Sequence, residues 1–217
     1  DKDGNLLHRD VPLSDTWKAL MNEKAAGKVR SIGVSNFSAQ EIKDMTQGGA
    51  EMPAVNQVEA HVFWNQEKLR KEMQELGVAV VAYSPLGNSG FHGEKSGITS
   101  DLVKEVAKDS DLTPAQVMLN YLINKDFIVI PKSVTPARID SNANWELKLN
   151  NEQMAKLDTA PQKRLTDFPF RPGGKFFFSE ENNNLKTMTK KLNDGTEMPI
   201  MGLGTWQSKP KEVEEAV

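Results

Sequence analysis

Short apolar runs alternate with helical patterns along most of this chain, and the runs lack a polar face. They fall at residues 29–34, 53–59, 78–83 and 127–130. A strand without a polar face is buried on both sides, which requires a parallel sheet covered by helices. The intervening patterns read as helices. The first is capped by Ser14 or Asp15, carries Trp17, Leu20 and Met21, and closes at Gly27. A second starts near Ser38, with Glu41 placed as in a capping box. Others are expected at 65–76, 100–108, 113–124, 136–143 and 150–158. This gives four βα units up to residue 143.

The character changes after a tail rich in Arg, Pro, Gly and Phe that ends near Glu180. Residues 181–184 are a polar linker signal, and 187–201 read as a β-hairpin turning at Asn193-Asp194-Gly195. Residues 199–204 suit another strand, and 209–217 a helix interrupted before any C-cap. The first residue, Asp1, is not an initiating Met, so this N-terminus is expected to come from processing, cloning or truncation.

Charge excludes some partners. The net charge is −3 with signs well mixed, which gives no basis for nucleic-acid or anionic-membrane binding. The chain has no cysteine, so disulfide and thiolate chemistry are excluded and a reducing compartment is permitted. No apolar run approaches the roughly 20 residues needed to span a bilayer.

Chemistry-bearing residues cluster at strand C-termini, where parallel α/β folds place their sites. Ser35-Asn36 can hydrogen-bond a carboxamide or simply make a turn or helix cap. In Tyr83-Ser84-Pro85-Leu86-Gly87 the tyrosine offers a stacking face, and Ser84 with the following amides can hold phosphate. The alternative is an aromatic that only packs in the core. Lys132 and Arg138 flank a helix start, with Ser133 and Thr135 as hydroxyl donors, and together suit a phosphate. Two cations on a solvated loop can also be accidental. Gln57 is a polar residue within an apolar strand, either a ligand contact or a partner for the next strand. His8, His61 and His92 lack metal-ligand spacing and read as surface or loop residues, so no metal site is expected. There is neither a P-loop nor a GxGxxG motif.

In series these motifs resemble the aldo-keto reductase family. The matching stretches are GKVRSIGVSNFS (27–38), PAVNQVEAHVFWNQEKL (53–69), GVAVVAYSPLG (77–87), LTPAQVMLNY (112–121) and FIVIPKSVTPARI (127–139). The resemblance implies an α/β fold, the (β/α)8 TIM barrel, incomplete or permuted here. It implies binding of NADPH/NADP+ and reduction of aldehydes or ketones to alcohols. Carried over, Ser35, Asn36 and Gln57 would hold the nicotinamide carboxamide, and Tyr83 would stack on the ring. Ser84 and Leu86 would line the pyrophosphate. Lys132, Ser133, Thr135 and Arg138 would take the 2′-phosphoadenosine end, with Asn142 on the adenine. Ser141 stands where many members carry Glu, and Val62 where a proline is common. Trp206 resembles the substrate-pocket tryptophan that follows the first strand.

The order of the segments departs from the family. Its N-terminal hairpin and first strand correspond to MTKKLNDGTEMPIMGLGTW (188–206), which here follows the C-terminal tail. The expected organisation is therefore strands five to eight and tail over 1–180, a linker at 181–187, and hairpin with first βα unit over 188–217. Strands two to four are absent, roughly 90 to 100 residues at about 30 per unit. They carry the family's Asp-Tyr-Lys-His tetrad, so no catalytic acid is assigned. Five parallel strands alone would leave unpaired edges and an open interior. The chain is expected to be part of a tandem or permuted protein, a fragment complemented by another chain or second copy, or a truncated protein. The competing readings are a cytoplasmic reductase acting on a small carbonyl compound, a catalytically inactive NADPH-binding half-barrel, and a fragment that binds nothing.

Overall fold

The computed structural model describes residues 11–87, 97–144, 146, 148–165 and 189–199. Four strands lie side by side in chain order: β1 (Val34–Ser35), β2 (Val55–Glu59), β3 (Ala79–Tyr83) and β4 (Phe127–Val129). All three pairings are parallel, with Ser35 opposite Gln57, Gln57 opposite Val81, and Val81 opposite Ile128. A parallel sheet in sequential order with intervening helices is one stretch of a (β/α)8 barrel wall. The helices are α1 (Leu13–Ala25), α2 (Ala39–Met45), α3 (Glu67–Glu75), α4 (Asp101–Ser110), α5 (Pro114–Asn124), α6 (Pro136–Asn142) and α7 (Asn151–Asp158). None of the described helices is long and apolar enough to cross a membrane.

Alternation along the strands sorts the side chains into two layers. Val58, Val80, Ala82 and Val129 face the helices and pack with Ile42, Met73, Val106, Met118 and Leu122. Ala54, Ala79, Val81 and Ile128 form the inner layer. Reciprocal capping boxes form at three helix starts, the expected one of Ser38 with Glu41 and two further ones, Thr113 with Gln116 and Asn150 with Gln153.

Two boundaries differ from the sequence expectation. Helix α1 begins at Leu13 behind Pro12, not at a Ser14 or Asp15 cap. The fixed φ of proline suits a helix start, which leaves Asp15 in the first turn, where its charge complements the helix N-terminus. The strand expected over 29–34 is reduced to Val34–Ser35, although Ala54 still donates its backbone N–H to the Ile32 carbonyl at 2.9 Å. Gly33 is pressed against β2: a Cβ there would meet Val55 Cγ2 at 2.5 Å, so only glycine fits.

The C-terminal hairpin, β5 (Thr189–Lys191) and β6 (Glu197–Pro199), is antiparallel. Its turn at Asn193-Asp194-Gly195 places Gly195 at φ 83, a conformation that glycine adopts without strain. The hairpin seats on the inner layer at the N-terminal ends of the parallel strands. Leu192 is buried among Ala54, Ala79, Val81 and Ile128, with Met198 packed beside it. Asn193 Nδ2 donates to the Pro53 carbonyl at 2.8 Å, and Ser31 Oγ donates to Thr196 Oγ1 at 3.2 Å. The linker at 181–187, Trp206 and the helix expected at 209–217 lie outside the described residues.

Candidate functional site

The opposite, C-terminal ends of the strands carry the polar residues singled out from the sequence. Ser35 and Asn36 end β1. Asn36 takes a left-handed φ of 60, which asparagine tolerates better than most residues. Its backbone N–H and the Ser35 hydroxyl both donate to the Gln57 carbonyl at 2.9 Å. Asn36 Nδ2 donates to Ser35 Oγ at 3.2 Å, and the Tyr83 hydroxyl donates to Asn36 Oδ1 at 3.0 Å. Three neighbouring strand ends are thus joined by one chain of hydrogen bonds, which fixes the orientation of the Asn36 amide.

Gln57 is half-buried and faces the inner layer, yet its carboxamide has no partner among the described residues. No pairing of that carboxamide with a neighbouring strand occurs among the described residues, so its hydrogen-bonding groups stay open. Ser84, at the end of β3, is the second non-glycine residue of this rim in the left-handed region, at φ 51. Its carbonyl accepts from Gly87 N–H at 2.9 Å, closing a turn that holds Pro85 buried and Leu86 half-buried.

Beyond β4 the chain turns through buried Pro131 into α6. Lys132 and Thr135 on this turn and Arg138 at the start of α6 are exposed, and half-buried Ser133 accompanies them. Thr135 donates its N–H to Ser133 Oγ at 3.2 Å and is the N-cap of α6 without a side-chain capping bond, so its hydroxyl is not spent on the helix. Neither Lys132 nor Arg138 has an ion-pair partner among the described residues. Asn142, at the end of α6, is 8% exposed. The rim therefore offers a free amide and an aromatic ring at one end, and unpaired cations with hydroxyls one strand further on.

His61 corrects one expectation. It sits in the turn after β2 but is fully buried, with Nε2 3.1 Å from Glu59 Oε1. His8 and His92 lie outside the described residues. Tyr121, one of two tyrosines in the chain, is on α5 in the helix layer. Burial, and then its 2.6 Å hydrogen bond to Asp158 Oδ1, push its hydroxyl well above the ordinary tyrosine range. That bond and that place exclude it as an acid for the rim. Replacing Tyr121 with Phe removes the bond, and denaturant melts should show a loss of about 1 kcal/mol of stability.

Lys125 ties this tyrosine to a buried ion network that sequence reasoning did not find. Its Nζ lies 2.9 Å from Asp158 and 3.4 Å from Glu67, and Arg70 bonds the other Glu67 oxygen at 2.5 Å. Burial alone would raise the Glu67 carboxyl, but the Arg70 hydrogen bond and the Lys125 charge outweigh it and hold the group below its ordinary value of 4.5. A carboxyl with a depressed folded value contributes stability that is present above the unfolded value and lost as pH falls through the folded one. Acid unfolding curves of Glu67→Gln and the parent chain should therefore separate above about pH 4.5 and converge as pH falls below it.

Residues 6–161 match the sequence profile of the aldo/keto reductase family. The NAD(P)H-dependent D-xylose reductase of Candida tenuis is 38% identical over 166 residues, 71% of this chain and 52% of that protein. The 9,11-endoperoxide prostaglandin H2 reductase of Trypanosoma cruzi is 39% identical over 165 residues, 74% of this chain and 57% of that protein. The solved aldose reductase from Schistosoma japonicum superposes with a TM-score of 0.69 at 38% identity, over 76% of this chain and 53% of that one. The chain spans about half the length of the curated relatives it matches. Both the sequence match and the shared wall of parallel strands lead to one assignment: this chain belongs to the aldo/keto reductase family.

Proposed function

We propose that this chain supplies the NADPH-binding part of a reductase that converts small aldehydes or ketones to alcohols. The observation that carries the reading is the half-buried Gln57 carboxamide, left without a partner among the described residues on the same strand-end rim as Asn36 and Tyr83. A half-buried amide with open hydrogen-bonding capacity suits a ligand of matching polarity. The nicotinamide carboxamide fits, with Ser35, Asn36 and Gln57 around it and Tyr83 against the ring. Ser84 and Leu86 line the pyrophosphate. The unpaired Lys132 and Arg138, with Ser133 and Thr135, suit the 2′-phosphate, and Asn142 the adenine. That charge favours NADPH over NADH. When bound, NADPH supplies the hydride that reduces the carbonyl carbon. The residues here bind and orient; the Tyr83 hydroxyl is engaged in a hydrogen bond to Asn36 Oδ1, and Tyr121 is buried elsewhere, so neither tyrosine serves as the acid.

The acid comes with the remaining barrel strands, contributed by another segment, a complementing fragment or a second copy. Strands β1 and β4 each pair on one side only among the described residues, and α1 leaves Leu13 and Leu20 exposed. Both features suit further βα units completing the wall. Residues 1–180 then act as the cofactor-binding portion, 181–187 as linker, and 188–217 as hairpin and first βα unit, with Trp206 at the substrate pocket. A cysteine-free chain of this kind suits the cytoplasm. The test is NADPH oxidation with a generic aldehyde. The chain alone should show no turnover, and turnover should appear when a polypeptide carrying strands two to four is added. Turnover by the chain alone would contradict the division of labour.

A further inference from the structure

Glu59 is a buried carboxylate that the proposed binding chemistry does not use. It ends β2, is 1% exposed, and pairs in register with Tyr83. It stands two residues past Gln57, on the same side of the strand. A carboxylate removed from water must be matched by donors or cations. Three groups meet that need. The Leu165 N–H donates to Oε1 at 2.7 Å, His61 Nε2 lies 3.1 Å from the same oxygen, and Arg164 Nε lies 3.7 Å from Oε2. The first and third come from the segment after α7, more than 100 residues away in sequence.

That segment is laced to the turn after β2 along its length. Lys163 donates its N–H to the Phe63 carbonyl at 2.6 Å, and Gln162 accepts from Asn65 N–H at 2.7 Å while donating to the Val62 carbonyl at 3.1 Å. The turn is in turn fixed to the strand end: Gln66 Nε2 donates to the Glu59 carbonyl at 3.0 Å, and Ala60 N–H donates to the Tyr83 carbonyl at 3.3 Å. Residues 162–165 therefore form a strap across the end of β2, and the Glu59 carboxylate is the charged clasp at its far end.

We propose that Glu59 is a positioning residue of the cofactor site, its buried carboxylate locking residues 162–165 onto the 59–66 turn and thereby holding Gln57 and Tyr83 in place for the nicotinamide end. The inference rests on the NADPH reading. Substitution by Gln keeps one acceptor oxygen but removes the negative charge that faces Arg164 and puts an N–H donor at one of the two oxygen positions, either the one Arg164 faces or the one shared by Leu165 N–H and His61. The strap should loosen while the Lys132 end, carried by β4 and α6, is untouched.

The test uses the 217-residue chain, Glu59→Gln and, as a second variant that leaves the buried carboxylate in place, Arg164→Ala. Trypsin cleavage after Lys163 reads the strap without any nucleotide. Titrations with NADPH and with adenosine 2′,5′-bisphosphate read the two ends of the site separately. In Glu59→Gln, cleavage should quicken and NADPH affinity fall, each by about tenfold, with adenosine bisphosphate affinity within about twofold of the parent. Arg164→Ala should move both readouts in the same direction by less. Equal weakening of both nucleotides marks a merely structural role and overturns the proposal, as does unchanged NADPH binding in a variant whose strap is cut faster. If the parent chain binds neither nucleotide, the NADPH reading itself fails and the positioning role falls with it, whereas the cleavage rates still report whether the clasp exists.

Discussion

Replacing Lys132 and Arg138 together by Met should weaken NADPH binding by about 100-fold, roughly tenfold for each charge-assisted hydrogen bond to the phosphate that is removed. Binding of NADH, which lacks the 2′-phosphate, should change little. The asymmetry follows from where the two cations stand. Lys132 lies on the turn into α6 and Arg138 within the first turn of α6, both without ion-pair partners among the described residues, so their removal breaks no ion pair that holds the fold. Their charges are available to an anion for the same reason. Each single substitution should weaken NADPH binding about tenfold. Nucleotide fluorescence titration measures all four proteins under one salt condition, because phosphate contacts between exposed groups weaken as salt rises. Equal weakening of NADH would mean that the substitutions act on the fold and not on the phosphate.

The second large effect is structural. Leu192→Ala should cost about 2 to 4 kcal/mol in chemical denaturation, as buried leucine truncations do. Leu192 is 6% exposed and fills the inner layer against Ala54, Ala79, Val81 and Ile128. Truncation leaves a cavity at the end of the sheet that the flanking strands are too firmly paired to close. An exposed leucine makes the contrast: Leu20 on α1 is 39% exposed, and Leu20→Ala should fall within about 0.5 kcal/mol of the parent. Comparable destabilisation at the two positions would mean that the hairpin is not seated on the barrel wall in solution.

What was legible in the sequence has a local cause. Strands β2 and β3 are apolar runs whose alternation shows only in which layer each residue joins, so their existence was readable and their facing was not. The capping box at Ser38 and the Asp194-Gly195 turn are signals confined to a few residues, and they appear in place, whereas the boxes at Thr113 and Asn150 were equally local and were not read. Strand β1 is shorter than its apolar run because its pairing depends on Gly33 lying against Val55, a contact between separate segments. The strand-end polar residues were legible as a set, since Ser35, Asn36 and Tyr83 each follow an apolar run. The bond from Tyr83 to Asn36 was not, because it spans 47 residues. The burial of Glu59 and His61 was hidden for the same reason. A glutamate closing a strand and a histidine in a turn look solvated until Arg164 and Leu165 return to cover them.

Titration of the intact chain with NADPH and with NADH, followed by tryptophan fluorescence, decides whether the rim of this barrel wall is a dinucleotide site. Saturable binding of NADPH is expected, tighter than NADH by about tenfold or more, because two cations meet a 2′-phosphate. Absence of saturable binding, or equal affinity for the two nucleotides, would overturn the cofactor assignment.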